Sequence, residues 1–159
     1  MDGSRSMVIV SAHAADFVWR AGGAIALHTE AGGSATVVSL SYGENGESGD
    51  LWRVPGQTVE AVKEHRHAEA SSAASALGAE FIPLDLGDYP LEVPTESLRQ
   101  LASIYVENKT DVLLVHAPED PFNPDHPVAS EAAQKARLLA MGAGGVPASF
   151  ETIPPPVTY

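Results

Sequence analysis

The chain has no cysteine, few basic residues and no long apolar run. Without cysteine it can hold no disulfide and no thiolate metal ligand, a usage that fits the cytoplasm. Nine Lys and Arg stand against 21 Asp and Glu, a formal net charge of −12. That balance argues against a nucleic-acid partner, whose phosphates need clustered basic side chains. It leaves room for a small anionic substrate, because a few arginines and a metal ion outweigh the global field inside a cleft. No stretch approaches the roughly 20 apolar residues of a membrane span. The N-terminal apolar run is too short for a signal peptide and ends in a polar motif. The expectation is a soluble, cytoplasmic protein with no membrane partner; homo-oligomerisation stays open.

What is present is 159 residues with 44% hydrophobic content, enough for one domain over 1–159 with a single core. Strand and helix signals alternate along it. Met7–Ala12 reads as a buried strand and Asp16–Ala31 as a helix stopped by Gly32-Gly33. The β-branched run Ala35–Leu40 reads as a second strand. The loop Gly43–Asp50 is too rich in glycine and acids to pack. A long helix over Thr58–Leu77 ends at Gly78, and Phe81–Leu84 is a short strand near an edge because of its proline. Thr95–Asn108 is helical with Thr95 as cap, Asp111–His116 is a strand, and a last helix starts near Val128. Such alternation predicts an α/β, three-layer, Rossmann-like fold with a mainly parallel sheet and helices on both faces. Pro154–Tyr159 looks like the start of a further strand, so a C-terminal truncation is expected.

Two motifs stand out. Ser11-Ala12-His13-Ala14-Ala15-Asp16 closes the first strand, and Asn123-Pro124-Asp125-His126 follows the strand at Val112–His116. The carboxyl ends of parallel strands form the rim where ligands bind. His13, Asp16 and His126 on that rim make a two-histidine, one-carboxylate set, the kind that holds a catalytic zinc and leaves one position open. Taken singly, His13 is more often structural and Asp16 more often a helix cap. Asp125 is a candidate to orient a ligand from behind, or a helix cap. His116 either faces the site or is a satisfied buried histidine.

These motifs resemble the PIG-L/LmbE superfamily of zinc-dependent de-N-acetylases, with signatures Ala-His-Pro-Asp-Asp-Glu and His-Pro-Asp-His. The resemblance puts the metal ligands on His13, Asp16 and His126. It also shows losses: the family's general base falls on Ala15, the following Glu on Phe17, and the first His of the later motif on Asn123. The 4-oxalomesaconate hydratase branch shares those losses. It is similar over Asp16-Phe17-Val18-Trp19-Arg20-Ala21-Gly22-Gly23 and Glu119–Pro127, within a resemblance running from about residue 7 to 135.

The resemblance implies a hydratase that adds water to the carbon–carbon double bond of an unsaturated oxo-tricarboxylate in gallate catabolism, with one Zn2+. A base must then come from elsewhere than position 15. A loop glutamate is implied, Glu47 first and Glu44 second, with His116 as a further catalytic candidate; the alternative is a solvated acidic loop. Arg20, Arg53, Arg66 and Asn123 are expected to bind the carboxylates, since a guanidinium suits a carboxylate better than an ammonium does. For Arg66 the alternative is an ion pair with Glu69 on its own helix. Trp19 and Trp52 read as packing residues, with Trp52 alternatively walling the cleft from its loop. Two other functions remain open: a de-N-acetylase of an N-acetyl sugar, and a non-catalytic metal- or ligand-binding relative.

Overall fold

The computed structural model describes residues 5–144 and 151–159. In chain order the elements are β1 (Ser6–Ser11), α1 (Asp16–Glu30), β2 (Ser34–Ser39), the one-turn α2 (Gly49–Trp52), α3 (Val59–Ala76) and β3 (Glu80–Pro83). Then follow α4 (Thr95–Glu107), β4 (Val112–Leu114), α5 (Asp125–Ala140) and β5 (Val157–Thr158). The strands form one parallel sheet in the order β3-β2-β1-β4-β5.

β1 is apolar at consecutive positions because both of its faces are covered. Met7 and Ile9 pack with Phe17 and Ile25 of α1 and with Ala70 and Ala74 of α3. Val8 and Val10 face the other way, onto Leu101 and Tyr105 of α4 and the alanines 129, 133 and 136 of α5. The three layers expected from sequence are therefore present. From β1 the chain winds outward through β2 to β3, then crosses to the other side of β1 to form β4. The connections leaving β1 and β4 run in opposite directions, which opens a crevice at their carboxyl ends.

Several local expectations need correction. Thr95 is the first residue of α4, with Pro94 in the cap position. Helix α5 starts at Asp125, three residues before Val128. Asn123 Oδ1 accepts the Asp125 N–H at 3.0 Å, and Pro127 lies in the first turn, where its missing N–H has no helical partner to lose. The loop Gly43–Asp50 does pack: Glu44 and Ser48 are buried, and α2 begins at its end. The reason is remote in sequence. The Asp88 carboxylate accepts the N–H groups of Asn45 (2.9 Å) and Gly46 (2.7 Å), and the Trp52 indole donates to Glu44 O at 2.6 Å. Other expectations hold. The proline-bearing β3 is an edge strand, and the terminal run pairs with β4 as β5. Among the described residues, no helix is long and apolar enough to cross a membrane.

Candidate metal centre

The site forms where β1 turns into α1. Asp16, first residue of the helix, reaches back to accept the His13 backbone N–H at 2.9 Å. It is therefore no cap, and the tight turn leaves its Oδ2 3.3 Å from His13 Nδ1. Across the crevice, His126 in the first turn of α5 brings Nε2 to 3.3 Å from Asp16 Oδ1. The loop after β2 adds Glu47, whose Oε1 lies 3.3 Å from His13 Nδ1. This approach depends on Gly43, at φ +71°: a Cβ there would press at 3.3 Å on both His13 and Glu47. One donor atom from each of His13, Asp16, Glu47 and His126 lies within 4.8 Å of all the others.

Two buried atoms decide what this cluster is for. His13 Nδ1 and His126 Nε2 are enclosed and, among the described residues, make no well-formed hydrogen bond, although carboxylate oxygens lie 3.3 Å from each. Buried polar nitrogens are rarely left so, because desolvation without a partner is costly. The other nitrogen of each ring is taken by a carboxylate: His13 Nε2 lies 3.1 Å from Asp125 Oδ2, and His126 Nδ1 lies 2.7 Å from Asp120 Oδ2. A carboxylate behind an imidazole whose front nitrogen is free is the arrangement that orients histidine toward a divalent cation. His13 Nδ1, His126 Nε2 and Asp16 fit such an ion, with Glu47 beside them. Without one, burial lowers the proton affinity of His13, but its contacts with Asp16 and Glu47 outweigh this and push its pKa up to about 10.

The remaining predicted residues divide. Asp16, Arg20, Glu47 and Arg66 line one hollow of about 500 Å3 with Ala15 and Trp19, open to solvent beside the cluster. Arg66 Nε donates to Tyr42 O at 3.3 Å while its Nη1 meets Glu69 Oε2 at 3.0 Å, so the helix ion pair and the cleft position coexist. Arg20 is more than half exposed, its Nε 3.6 Å from Asp16 Oδ1. Arg53 lies farther out, 81% exposed and paired with Asp50, on a neighbouring hollow that also touches Glu47 and Arg66. Glu44 turns away from the cluster: it is buried against Lys63 (3.4 Å) and the Tyr42 N–H. His116 Nε2 accepts the Ala12 N–H at 3.0 Å and lies 3.3 Å from Asp16 Oδ2, and the ring stacks on His126 at 4.1 Å. Asn123 is buried just before α5, where its Oδ1 accepts the Asp125 N–H. A larger hollow, about 650 Å3, lies among Arg5, Lys109 and Pro154 and contains none of the clustered donors.

Sequence reasoning missed Asp120 and Tyr89. Asp120 precedes its histidine by six residues in an irregular loop, where no periodicity marks it. The Tyr89 ring stacks on that of His13, centroids 5.7 Å apart and 17° from parallel. Burial, then the charges of Glu47, Asp125, Asp88 and Asp16, raise its phenol above the ordinary value, so it stays a neutral donor.

The family model described as PIG-L, GlcNAc-PI de-N-acetylase, matches residues 8–137. The chain is 47% identical over 153 residues to the 4-oxalmesaconate hydratase of Pseudomonas putida, covering 96% of this chain and 59% of that protein. It is 28% identical to 1D-myo-inositol 2-acetamido-2-deoxy-alpha-D-glucopyranoside deacetylase 2 of Catenulispora acidiphila, covering 91% and 55%. Among solved structures, GalB of Pseudomonas putida, a 4-carboxy-2-hydroxymuconate hydratase, superposes with a TM-score of 0.91 at 47% identity over 96% of this chain and 64% of that one. N,N′-diacetylchitobiose deacetylase from Pyrococcus horikoshii shares the fold, with a TM-score of 0.77 at 20% identity over 87% and 51%. The chain thus spans somewhat under two thirds of the length of these relatives.

Proposed function

Because the chain belongs to the PIG-L family, we propose that its rim site is that family's metal centre turned to hydration of a carbon–carbon double bond. The substrate is a small unsaturated oxo-tricarboxylate of the 4-oxalomesaconate type, and the ion is Zn2+. One observation carries this reading: Glu47 and two arginines share the hollow beside the donor cluster, with Ala15 where the resemblance puts the deacetylase base. The 47% identity to a hydratase supports it.

The chain's own groups suit the chemistry. A divalent cation held by His13, Asp16 and His126 supplies Lewis acidity. Asp125 and Asp120 keep the two imidazoles aimed. Arg20 and Arg66 hold substrate carboxylates at the open side of the hollow, where guanidinium pairing is bidentate and directional. Glu47 carries the proton at its Oε1. Water adds oxygen to one alkene carbon and a proton to the other, so the π bond is lost, C–O and C–H bonds form, and nothing is oxidised or reduced. Glu47 is 26% exposed on its side chain, open enough to meet substrate and water.

The test is direct, since hydration removes the near-ultraviolet absorbance of the conjugated oxo acid. The expected result is loss of that band with wild-type protein. Glu47→Gln should lower turnover by about 10²–10⁴-fold with the metal retained. Robust acetate release from an N-acetyl sugar, with no hydration, would establish the deacetylase reading instead.

A further inference from the structure

Tyr89 occupies a demanding backbone position with little packing return. Its φ is +48°, in the left-handed region that glycine enters freely and bulky side chains seldom adopt. Asp125 holds that shape: Oδ2 accepts the Tyr89 N–H at 2.9 Å and Oδ1 the Leu91 N–H at 3.0 Å. The same carboxylate aims His13. Yet the Tyr89 side chain belongs to neither apolar cluster and is 42% exposed. It lies over the His13 ring, and its edge rests so closely on Gly46 that any Cβ there would overlap it. The next residue is Glu47. A strained backbone that presents an aromatic ring outside the core, over a metal-site imidazole, serves a ligand better than it serves folding.

We propose that Tyr89 is a substrate-contacting residue, its phenol donating a hydrogen bond to an oxygen of a bound polycarboxylate on the Glu47 side of the site. The inference rests on the hydratase reading above and extends it to a residue that neither the motifs nor the arginines supply.

The experiment uses metal-loaded protein and propane-1,2,3-tricarboxylate, a saturated probe that cannot be hydrated. Wild type, Tyr89→Phe and Tyr89→Gly are compared by calorimetric affinity, near-ultraviolet difference spectrum, metal content and Tm. Tyr89→Phe should keep metal and Tm, bind the probe about tenfold more weakly, and lose the phenol difference band seen in wild type. Tyr89→Gly should match that weakening with no loss of Tm, because glycine accepts the backbone shape. Wild-type affinity and an unchanged band in Tyr89→Phe would overturn the proposal, as would loss of metal or Tm in that variant, or failure of wild type to bind the probe. If wild type binds the probe but does not hydrate the unsaturated acid, the hydratase reading fails while Tyr89 is still judged by the probe.

Discussion

His13 and His126 meet at one point from opposite sides of the crevice, the first backed by a helix carboxylate and the second by a loop carboxylate. Asp125 sits in the first turn of α5, is buried, and binds the Tyr89 and Leu91 amides as well as His13. Burial raises its proton affinity, but the Leu91 and Tyr89 amides and His13 overcome this and hold its pKa below the usual carboxylate value. Asp120 is partly exposed, and among the described residues it accepts, besides His126, the amides of Phe122 and Asn123, its loop neighbours. One histidine is therefore tied to the fold itself. The other is tied to a loop that can change while the fold stays intact.

That contrast is open to attack by mutation. Asp125→Ala should give the largest effect, because it strips partners from two amides and a ring nitrogen at once. Loss of about 3 kcal/mol of stability is expected, together with loss of metal binding; thermal denaturation and metal analysis read both. A variant that loses metal but keeps wild-type Tm would show that the 88–91 segment does not depend on Asp125. Asp120→Asn should separate the two properties: Tm close to wild type, and metal affinity lower by about 10–100-fold. Equal destabilisation by the two substitutions would erase the distinction between the halves of the site.

The same contrast explains what could be read from sequence. β1 and β2 were legible because burial on both faces leaves a continuous apolar run, and the His13–Asp16 pair because its donors sit three residues apart on one turn. The packing of the Gly43–Asp50 loop was not legible, since its partner Asp88 lies some forty residues away. The early start of α5 was hidden because Pro124 holds its cap position with no side-chain cap, and Pro127 falls in a first turn, where a proline breaks nothing. Glu44 and Glu47 look alike in sequence; Lys63 claims one and leaves the other to the metal site. The Ala12 N–H on His116 Nε2 and the Asp125 N–H on Asn123 Oδ1 join strand end, loop and helix across distances that no sequence pattern marks.

A smaller effect follows from pH. In the metal-free protein His13 is raised from 6.5 to about 10. Its protonation therefore stabilises the metal-free fold fully below about pH 6.5, and that contribution disappears as pH rises through about 10. A cation at Nδ1 must displace this proton. Binding between these limits should release close to one proton per ion, and affinity should strengthen with rising pH. Calorimetry in buffers of different ionisation enthalpy measures the release; none at pH 8 would mean that His13 is not a ligand.

The measurement that bears most directly on the account is the metal content of the purified protein beside that of His126→Ala. His126 contributes a buried nitrogen that makes no hydrogen bond among the described residues, so its removal should leave the fold in place and take the ion away. The account predicts about one equivalent of divalent metal in wild type and nearly none in the variant, with Tm measured on both metal-free forms to establish that each is folded. A folded His126→Ala variant that retains a full equivalent would contradict it.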